Sequence, residues 1–184
     1  MNLLVTGGAG FIGSNVVQQV IDRPEVQRLV NLDCLTYAGH LENLTPVTSH
    51  PKYDFEKIDL RDKNAVREVI HKHTISHVMH LAAESHVDRS ITGPDDFIHT
   101  NIVGTFHLLE ACRDFWLIAA DRPQAIAFRF QHVSTDEVYG CLGPTGHFTE
   151  STPYAPNSPY SASKAASDML VRAYHHTYGL PTVI

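Results

Sequence analysis

Short runs of apolar residues alternate along the chain with longer segments whose apolar positions recur at helical spacing. This alternation is typical of βαβ units around a parallel sheet, and it predicts an α/β fold of the Rossmann-type, doubly wound kind. The predicted strands are Leu3 to Val5, Leu29 to Leu32, Asp54 to Ile58, His77 to Leu81 and Ala127 to Val133. The predicted helices are Phe11 to Ile21, Lys63 to Lys72, Asp95 to Leu117 and Pro159 to Tyr178.

The last predicted helix has the clearest ends. Ser158 can cap its first N–H groups, Pro159 suits the first helical position, and Gly179 stops the helix. The stretch from Gly140 to Asn157 is rich in glycine and proline and has no period, so we predict a loop over one end of the sheet. Such a loop either covers a ligand or is a plain surface connection.

A length of 184 residues with 43% hydrophobic content predicts one domain, spanning residues 1–184. Thr182 to Ile184 has the pattern of another strand that is just beginning. We therefore expect an incomplete dinucleotide-binding domain, truncated before a C-terminal substrate domain.

Charge and cysteine content restrict the possible partners and the compartment. The net charge of −6 is spread without blocks of like charge, so no nucleic-acid partner is expected. Three cysteines without a C-x-x-C pair favour a reducing compartment, and we expect a cytoplasmic protein. No segment has the roughly 20 uninterrupted apolar residues of a membrane helix, so no membrane association is expected.

A glycine-rich turn, Thr6 to Gly13, follows the first predicted strand and opens the first helix. Gly7, Gly10 and Gly13 can be read as G-x-x-G-x-x-G, and the same stretch from Gly8 as G-x-G-x-x-G. Glycines here let the backbone approach a pyrophosphate at the start of a helix, although glycine turns often serve geometry alone. The position of the turn therefore favours dinucleotide binding.

Asp33 ends the second predicted strand, twenty residues beyond Gly13. A carboxylate at this position hydrogen-bonds the ribose hydroxyls and repels the extra phosphate of NADP, so the predicted cofactor is NAD. Asp59 ends the third predicted strand. It is either an adenine contact or the cap of the helix that follows.

Tyr160 and Lys164 are four residues apart on one predicted helix, so their side chains share a face. An ammonium group there can stabilise a tyrosinate. Lowering a phenol pKa from about 10 to about 7 requires about 4 kcal/mol, from Lys164 and from the positive charge of a nicotinamide. Because Y-x-x-x-K also occurs by chance on amphipathic helices, this hypothesis depends on the glycine turn.

Thr135, Asp136 and Glu137 follow the fifth predicted strand, at the sheet edge where open α/β folds bind ligands. The two adjacent carboxylates are either a general acid beside a general base or a turn with solvated acids. Repulsion between the two negative charges would raise one of the pKa values and help that acid keep its proton near neutral pH.

Together these motifs resemble the dTDP-glucose 4,6-dehydratases of the extended short-chain dehydrogenase/reductase family. The glycine turn and Y-x-x-x-K are shared across that family, whereas Thr135 to Glu137 and Leu81 to Ser90 are much more specific to the dehydratases. The resemblance adds Phe11, Ile12, Leu60, Leu81 and Ala83 to the residues expected to bind NAD. It places Glu84, Ser85, His86 and Thr135 beside the substrate, with structural hydrogen bonding as the other interpretation of the first three.

The resemblance also implies a reaction on dTDP-glucose. Tyr160 would remove the proton of the 4-hydroxyl, aided by Thr135, while hydride passes from carbon 4 to NAD. Glu137 would then take the proton on carbon 5 while Asp136 protonates the departing 6-hydroxyl, and the hydride returns to carbon 6. The product would be dTDP-4-keto-6-deoxy-glucose.

Two other functions remain open at this point. An NAD-dependent nucleotide-sugar 4-epimerase shares the glycine turn, Tyr160 and Lys164 but does not need the Asp136 and Glu137 pair. A truncated NAD-binding module without activity is the third hypothesis.

Thirteen histidines suggest zinc, but they lack cysteine or acidic companions at metal-ligand spacing, so no metal is expected. The helices around residues 95–117 and 159–178 carry more apolar surface than one sheet face covers. In the family these helices form a four-helix dimer interface, so a homodimer is expected, although core packing explains the same residues almost as well.

Overall fold

The computed structural model describes residues 1–119 and 127–184, and its centre is one sheet of six parallel strands. The strands are β1 Asn2–Thr6, β2 Arg28–Asp33, β3 Tyr53–Lys57, β4 His77–His80, β5 Arg129–His132 and β6 Thr182–Val183. Their order in the sheet is β3-β2-β1-β4-β5-β6, the order of a Rossmann-type doubly wound sheet. The predicted fold and the five predicted strands are confirmed. Thr182 and Val183, where the pattern predicts the beginning of another strand, form β6.

Helices α1 Phe11–Val20, α2 Lys63–Lys72 and α6 Pro159–Tyr178 are where the pattern predicts them, α1 being one residue shorter. Helix α3, Val87–Thr92, and two short 3₁₀ turns, Leu41–Leu44 and Asp136–Tyr139, lie in segments without a predicted element. They are too short to show a helical period. No helix within residues 1–119 and 127–184 combines the length and the apolar character that crossing a bilayer requires.

The long helix predicted from Asp95 to Leu117 is helical, but it is not uniform. It runs as α4 Asp95–Phe97, a π-helical stretch Ile98–Gly104, α5 Thr105–Arg113 and a second π-helical stretch Asp114–Ile118. A hydrophobic period shows that a helix is present but does not show a local change in hydrogen-bond spacing. Such wide turns are frequent at functional sites.

Two hydrophobic cores cover the two faces of the sheet. Leu4 and Val30 face α2, α5 and α6, whereas Leu3 and Val5 face α1, because neighbouring side chains of a strand point to opposite faces. Trp116 lies in the first core, and its indole N–H donates to the carbonyl of Ile75 at 2.7 Å. Each large apolar side chain buried in this way contributes about 1.5–3 kcal/mol.

Helix α6 begins at a reciprocal cap. The Ser158 hydroxyl accepts from the N–H of Ser161 at 3.0 Å, and the Ser161 hydroxyl accepts from the N–H of Ser158 at 2.9 Å. Pro159 occupies the first turn, and Gly179 ends the helix in the left-handed conformation, as predicted. These boundary contacts set the position from which Tyr160 and Lys164 extend.

We expect Ser158→Ala to lower the free energy of unfolding by about 1 kcal/mol, because one helix N–H loses its acceptor. Urea denaturation followed by circular dichroism measures the loss. Thr177→Ala, at an exposed position in the last turn of α6, should change stability by less than about 0.5 kcal/mol. Equal denaturation midpoints for Ser158→Ala and the unaltered protein would contradict the role of this cap.

Candidate active site at the carboxyl edge of the sheet

A cavity of about 690 Å³ lies at the carboxyl edge of the sheet, where the loops after β1 and β4 separate. Its size is within the range of small-molecule and cofactor sites. Every residue predicted to bind the cofactor lines this cavity: Gly7, Gly10, Phe11, Ile12, Gly13, Asp33, Asp59, Leu60, Leu81, Ala83, Tyr160 and Lys164.

The glycine turn forms one end of the cavity and admits no larger side chains at its tightest points. Gly7 has a φ of +72°, and a Cβ atom on Gly13 would lie 2.1 Å from the Gly7 carbonyl oxygen. Gly10 offers no side chain to cap α1, and the first turn of α1 carries no acidic residue. The first N–H groups of α1 therefore remain available to an anion at the positive end of the helix.

Asp33 is buried and fixes the turn to the end of β2. One carboxylate oxygen accepts from the N–H of Ala9 at 2.9 Å, and the other accepts from the N–H of Leu35 at 2.8 Å. The second contact holds Leu35 at a φ of +57°, which is unusual for a branched residue. Each oxygen keeps a further lone pair, so the carboxylate can accept hydroxyl donors from a ligand in the cavity.

Asp59 lines the cavity and is bound by Arg61. Its carboxylate accepts from the backbone N–H, Nε and Nη2 of Arg61 at 2.9, 2.9 and 2.7 Å. Burial raises the pKa of Asp59, but the hydrogen bonds and charge of Arg61 outweigh it and lower the pKa overall. Asp62, not Asp59, caps α2, so the interpretation of Asp59 as a helix cap is wrong. The adenine contact stays a prediction.

Asn101 lies in the first π-helical stretch and supports the loop after β4. Its carbonyl oxygen accepts from the N–H of Glu84 at 2.8 Å, and its amide donates to the carbonyl of Glu84 at 2.9 Å. The same amide donates to the hydroxyl of Ser163 on α6 at 2.8 Å. Asn101 therefore holds a cavity wall against the helix of Tyr160 and Lys164, and the predicted structural hydrogen bonding at Glu84 is present.

A buried histidine connects β1 to α5, the helix that follows the π-helical stretch of Asn101. His80 Nε2 lies 2.9 Å from the hydroxyl of Thr105, which itself donates to the carbonyl of Asn101, so Nε2 carries the proton. His80 Nδ1 then accepts from the hydroxyl of Thr6 at 2.7 Å. Burial, followed by the neighbouring His132 and Lys164, holds the pKa of His80 well below its usual value. The ring is therefore a neutral structural link.

Tyr160 and Lys164 lie buried on one face of α6, and both line the cavity. The ammonium of Lys164 donates to the carbonyl of Val133 at 2.7 Å and lies 3.5 Å from His132 Nε2. Burial lowers the pKa of Lys164 to about 8, although the charge of Asp168 acts in the opposite direction. Burial therefore makes Lys164 a more acidic ammonium group than an exposed lysine.

The pKa of Tyr160 is raised, not lowered. Burial is the largest cause, the charges of Glu137, Asp136 and Asp168 add to it, and a hydrogen bond from Thr135 acts against it. The arrangement differs from the expectation that Lys164 stabilises a tyrosinate, because the ammonium is engaged by the carbonyl of Val133. The side chains of this chain alone leave Tyr160 protonated at neutral pH.

Thr135, Asp136 and Glu137 lie directly after β5, where the chain forms a 3₁₀ turn from Asp136 to Tyr139. The Thr135 hydroxyl accepts from the N–H of Glu137 at 3.3 Å and so begins the turn. Asp136 is exposed and Glu137 is half-buried. This turn packs against α6, the helix of Tyr160, so both acids lie in the same region as the phenol.

Gly140 closes this turn at a φ of +92°. A Cβ atom there would lie 2.5 Å from the carbonyl oxygen of Ala155, so the turn and the following loop approach one another closely. The N–H of Ala155 also donates to the carbonyl of Val138 at 2.9 Å. These contacts hold the segment that leads into α6 against the stretch from Thr135 to Tyr139, which we call the acidic turn.

The residues predicted near the substrate are not all in the cavity wall. Glu84 and Ser85 line the cavity. Thr135 contributes to the acidic turn beside it, and His86 is an exposed residue that directly precedes α3. Among the described residues, no three histidine, cysteine or acidic side chains are grouped so as to hold a metal ion.

Tyr37 and Arg89 line the cavity, and sequence reasoning gave them no role. The guanidinium carbon of Arg89 lies 4.0 Å from the centroid of the Tyr37 ring, and the Tyr37 hydroxyl donates to Glu84 at 3.3 Å. This cation–π contact joins two loops more than fifty positions apart in the chain, so no periodic pattern reveals it. Arg89 does lie within Leu81 to Ser90, one of the stretches that carry the family resemblance.

Comparison with known proteins places the chain in a family. Residues 4–184 match the family model described as GDP-mannose 4,6 dehydratase. The chain belongs to this family. As a member of the GDP-mannose 4,6 dehydratase family, it is similar to the dTDP-glucose 4,6-dehydratase of Xanthomonas campestris pv. campestris (strain B100), with 59% identity over 180 residues. That alignment covers 98% of this chain and 50% of the relative.

Two solved structures show the same fold as this family member. One is DesIV, a dTDP-glucose 4,6-dehydratase from Streptomyces venezuelae with NAD and TYD bound. Its TM-score is 0.88 and its sequence identity is 46%, and the alignment covers 99% of this chain and 54% of the DesIV chain. The other is a Thermus thermophilus UDP-glucose 4-epimerase in complex with NAD. Its TM-score is 0.84 and its sequence identity is 34%, and the alignment covers 99% of this chain and 53% of the epimerase chain. The predicted resemblance is confirmed, and the chain spans about half the length of the curated relatives it matches.

We expect the ammonium of Lys164 to titrate with a midpoint near pH 8, because burial disfavours its charged form. Nuclear magnetic resonance of lysine-labelled protein measures this midpoint directly. The signal is assigned by its loss in Lys164→Met. A midpoint near 10 would contradict the burial of Lys164.

Proposed function

We propose that the cavity binds NAD. The support comes from a glycine turn that larger side chains would obstruct, from the uncapped start of α1, and from the buried Asp33 carboxylate beside them. The pyrophosphate would lie at the turn, the adenosine ribose at Asp33, and the nicotinamide toward Tyr160 and Lys164. Asp33 would lie beside the 2′-phosphate of a bound NADP, and repulsion between the two negative charges would disfavour that cofactor.

We further propose that the full-length protein is a dTDP-glucose 4,6-dehydratase, a lyase that forms dTDP-4-keto-6-deoxy-glucose. The observation that carries this proposal is that the turn of Asp136 and Glu137 packs against α6, the helix from which Tyr160 and Lys164 line the proposed cofactor cavity. A base for oxidation and an acid and base for elimination therefore share one region. The similarity to dTDP-glucose 4,6-dehydratases supports the same function.

In the proposed reaction Tyr160 removes the proton from the 4-hydroxyl of the sugar, and Thr135 donates a hydrogen bond to the same oxygen. When bound, NAD supplies the acceptor that takes hydrogen from carbon 4 and returns it at carbon 6. Because the chain's own groups raise the pKa of Tyr160, the positive charge of the bound cofactor and the Lys164 ammonium are needed to favour the phenolate. The acid-base balance of Tyr160 is thereby coupled to cofactor binding.

The elimination step is assigned to the acidic turn. The 4-ketone acidifies the hydrogen on carbon 5, and Glu137 accepts that proton as Asp136 donates one to the departing 6-hydroxyl, which leaves as water. Half-buried Glu137 is the base and exposed Asp136 is the acid in this assignment. The proton on Asp136 comes from solvent, to which its side chain is open.

A nucleotide-sugar 4-epimerase is the second candidate, since epimerases share this fold with NAD bound. The acidic pair favours the dehydratase, because epimerisation at carbon 4 requires no proton transfer at carbon 5 or carbon 6.

We propose that residues 1–184 form the dinucleotide-binding domain and that the sugar nucleotide is completed by a second domain. The coverage of about half of each relative supports this division. We also propose a homodimer through the helices around 95–117 and 159–178. Exposed apolar side chains on these helices, at Ile98, Ile118, Met169 and Tyr178, support a partner surface.

Incubating the full-length protein with dTDP-glucose and NAD tests the proposed function. We expect a 4-keto-6-deoxy product without net consumption of NAD, because the hydrogen removed at carbon 4 is returned at carbon 6. Nuclear magnetic resonance of the sugar identifies the product. Formation of dTDP-galactose, the 4-epimer, would contradict the dehydratase and favour the epimerase.

We expect Glu137→Gln to lower kcat by at least about 100-fold, because the amide cannot accept the carbon 5 proton. Oxidation at carbon 4 precedes this step, so reduced cofactor should accumulate on the enzyme and be visible by its absorbance. Glu68→Gln, at an exposed position on α2, is the matched control and should turn over normally. Normal turnover in Glu137→Gln would remove Glu137 from the role of base.

A further inference from the structure

Asp168 is a fully buried carboxylate, with 0% of its surface exposed, one turn beyond Lys164 on α6. A buried carboxylate is costly unless hydrogen bonds or an opposite charge compensate it. The mechanism above does not use this residue, and its contacts indicate what it does.

One carboxylate oxygen of Asp168 joins two segments to α6. It accepts from the hydroxyl of Ser134 at 2.6 Å and from the phenol of Tyr154 at 3.0 Å. Ser134 directly precedes Thr135, and Tyr154 lies in the loop that returns to Pro159. A single oxygen therefore links the acidic turn, and the loop between that turn and Pro159, to the helix of Tyr160 and Lys164.

The other carboxylate oxygen lies near His132, and the His132 ring lies in turn near the Lys164 ammonium. This oxygen lies 3.2 Å from His132 Nε2 but has no aligned hydrogen bond, and Nε2 instead pairs with the Ser167 hydroxyl at 3.2 Å. Burial and the charge of Lys164 lower the pKa of His132 more than Asp168 raises it. Lys164 Nζ lies 3.5 Å from the same Nε2, so the Asp168 carboxylate and the Lys164 ammonium both lie beside the neutral ring of His132.

We propose that Asp168 is a positioning residue that holds Ser134, and with it the acidic turn, against α6 and keeps Lys164 charged beside Tyr160. This inference rests on the proposed function, since it assigns a role in the same site. Its two parts are separable, because hydrogen bonds to Ser134 and Tyr154 fix geometry, whereas the negative charge acts on Lys164 and Tyr160.

The charge effect has a defined sign. Asp168 raises the pKa values of both Lys164 and Tyr160. Removing its charge therefore lowers both, so that Lys164 loses its proton at lower pH and Tyr160 reaches the phenolate at lower pH. In the described part of the chain, the other titratable groups that face Lys164, Tyr160 or Asp168 are His80 from β4, His132 from β5, Asp136 and Glu137 from the acidic turn, and Tyr154 from the loop before α6.

Asp168→Asn in the full-length enzyme tests the proposal. We expect kcat to fall about 10-fold to 100-fold with little change in KM, because the acidic turn loses its alignment. Both limbs of the pH profile of kcat should move to lower pH. Asp168→Glu keeps the charge and should retain the pH profile of the unaltered enzyme. An unchanged kcat and profile in Asp168→Asn would overturn the proposal.

A second measurement does not depend on turnover. In Asp168→Asn the nuclear magnetic resonance titration of Lys164 should move to a lower midpoint than in the unaltered protein, with no cofactor or substrate added. An identical midpoint would overturn the charge part. If the unaltered enzyme fails to convert dTDP-glucose, the proposed function fails, and this titration still decides the inference about Asp168.

Tyr154→Phe removes one hydrogen bond and leaves the carboxylate in place, so it remains informative if Asp168→Asn does not fold. We expect kcat to fall about 3-fold to 10-fold. Tyr174→Phe is the matched control, because it also removes a phenol to carboxylate hydrogen bond, from Tyr174 on α6 to Glu110 on α5 at 2.6 Å, but away from the acidic turn. Equal kcat values in the two variants would overturn the positioning part.

Discussion

The parallel pairing of β1 with β4 is the constraint on which the rest of the structure depends. The chain leaves β1 toward α1 on one face of the sheet, and the helices that follow β4 pack on the other face. The two exit loops must therefore separate at the carboxyl edge, and the cavity is the space between them. Thr6 and His80, paired across these strands and hydrogen-bonded to each other, mark the point of separation.

Charge burial is the second organising feature, and it is concentrated behind the cavity. Lys164 and Asp168 are both almost wholly removed from solvent, and each is compensated by polar partners on β5 and the segment after it. Burial of this kind contributes little net stability. It does fix where each charge lies, and pKa values far from their usual range are typical of functional sites.

Sequence patterns predicted the parts of this fold that local chemistry determines. Helix α6 has the predicted ends because Ser158, Pro159 and Gly179 act within their own turns. The cavity wall was predictable from the glycine turn and Asp33, since their positions follow from the strand ends. Other features depend on three-dimensional contacts, among them the stacking of Arg89 on Tyr37 and the helix cap at Asp62 in place of Asp59. The raised pKa of Tyr160 depends on burial together with the charges around it. No spacing along the chain encodes these.

The π-helical stretch Ile98–Gly104 has a consequence for how this segment tolerates insertions and deletions. A wide turn accommodates an additional residue, so shortening it to a regular helix would rotate everything beyond it by about 100°. Leu108 and Leu109, which lie in the core, would then swing toward solvent. The length of this stretch therefore fixes the orientation of the Asn101 amide relative to the apolar face of α5. An insertion or deletion that leaves one of them in place would displace the other.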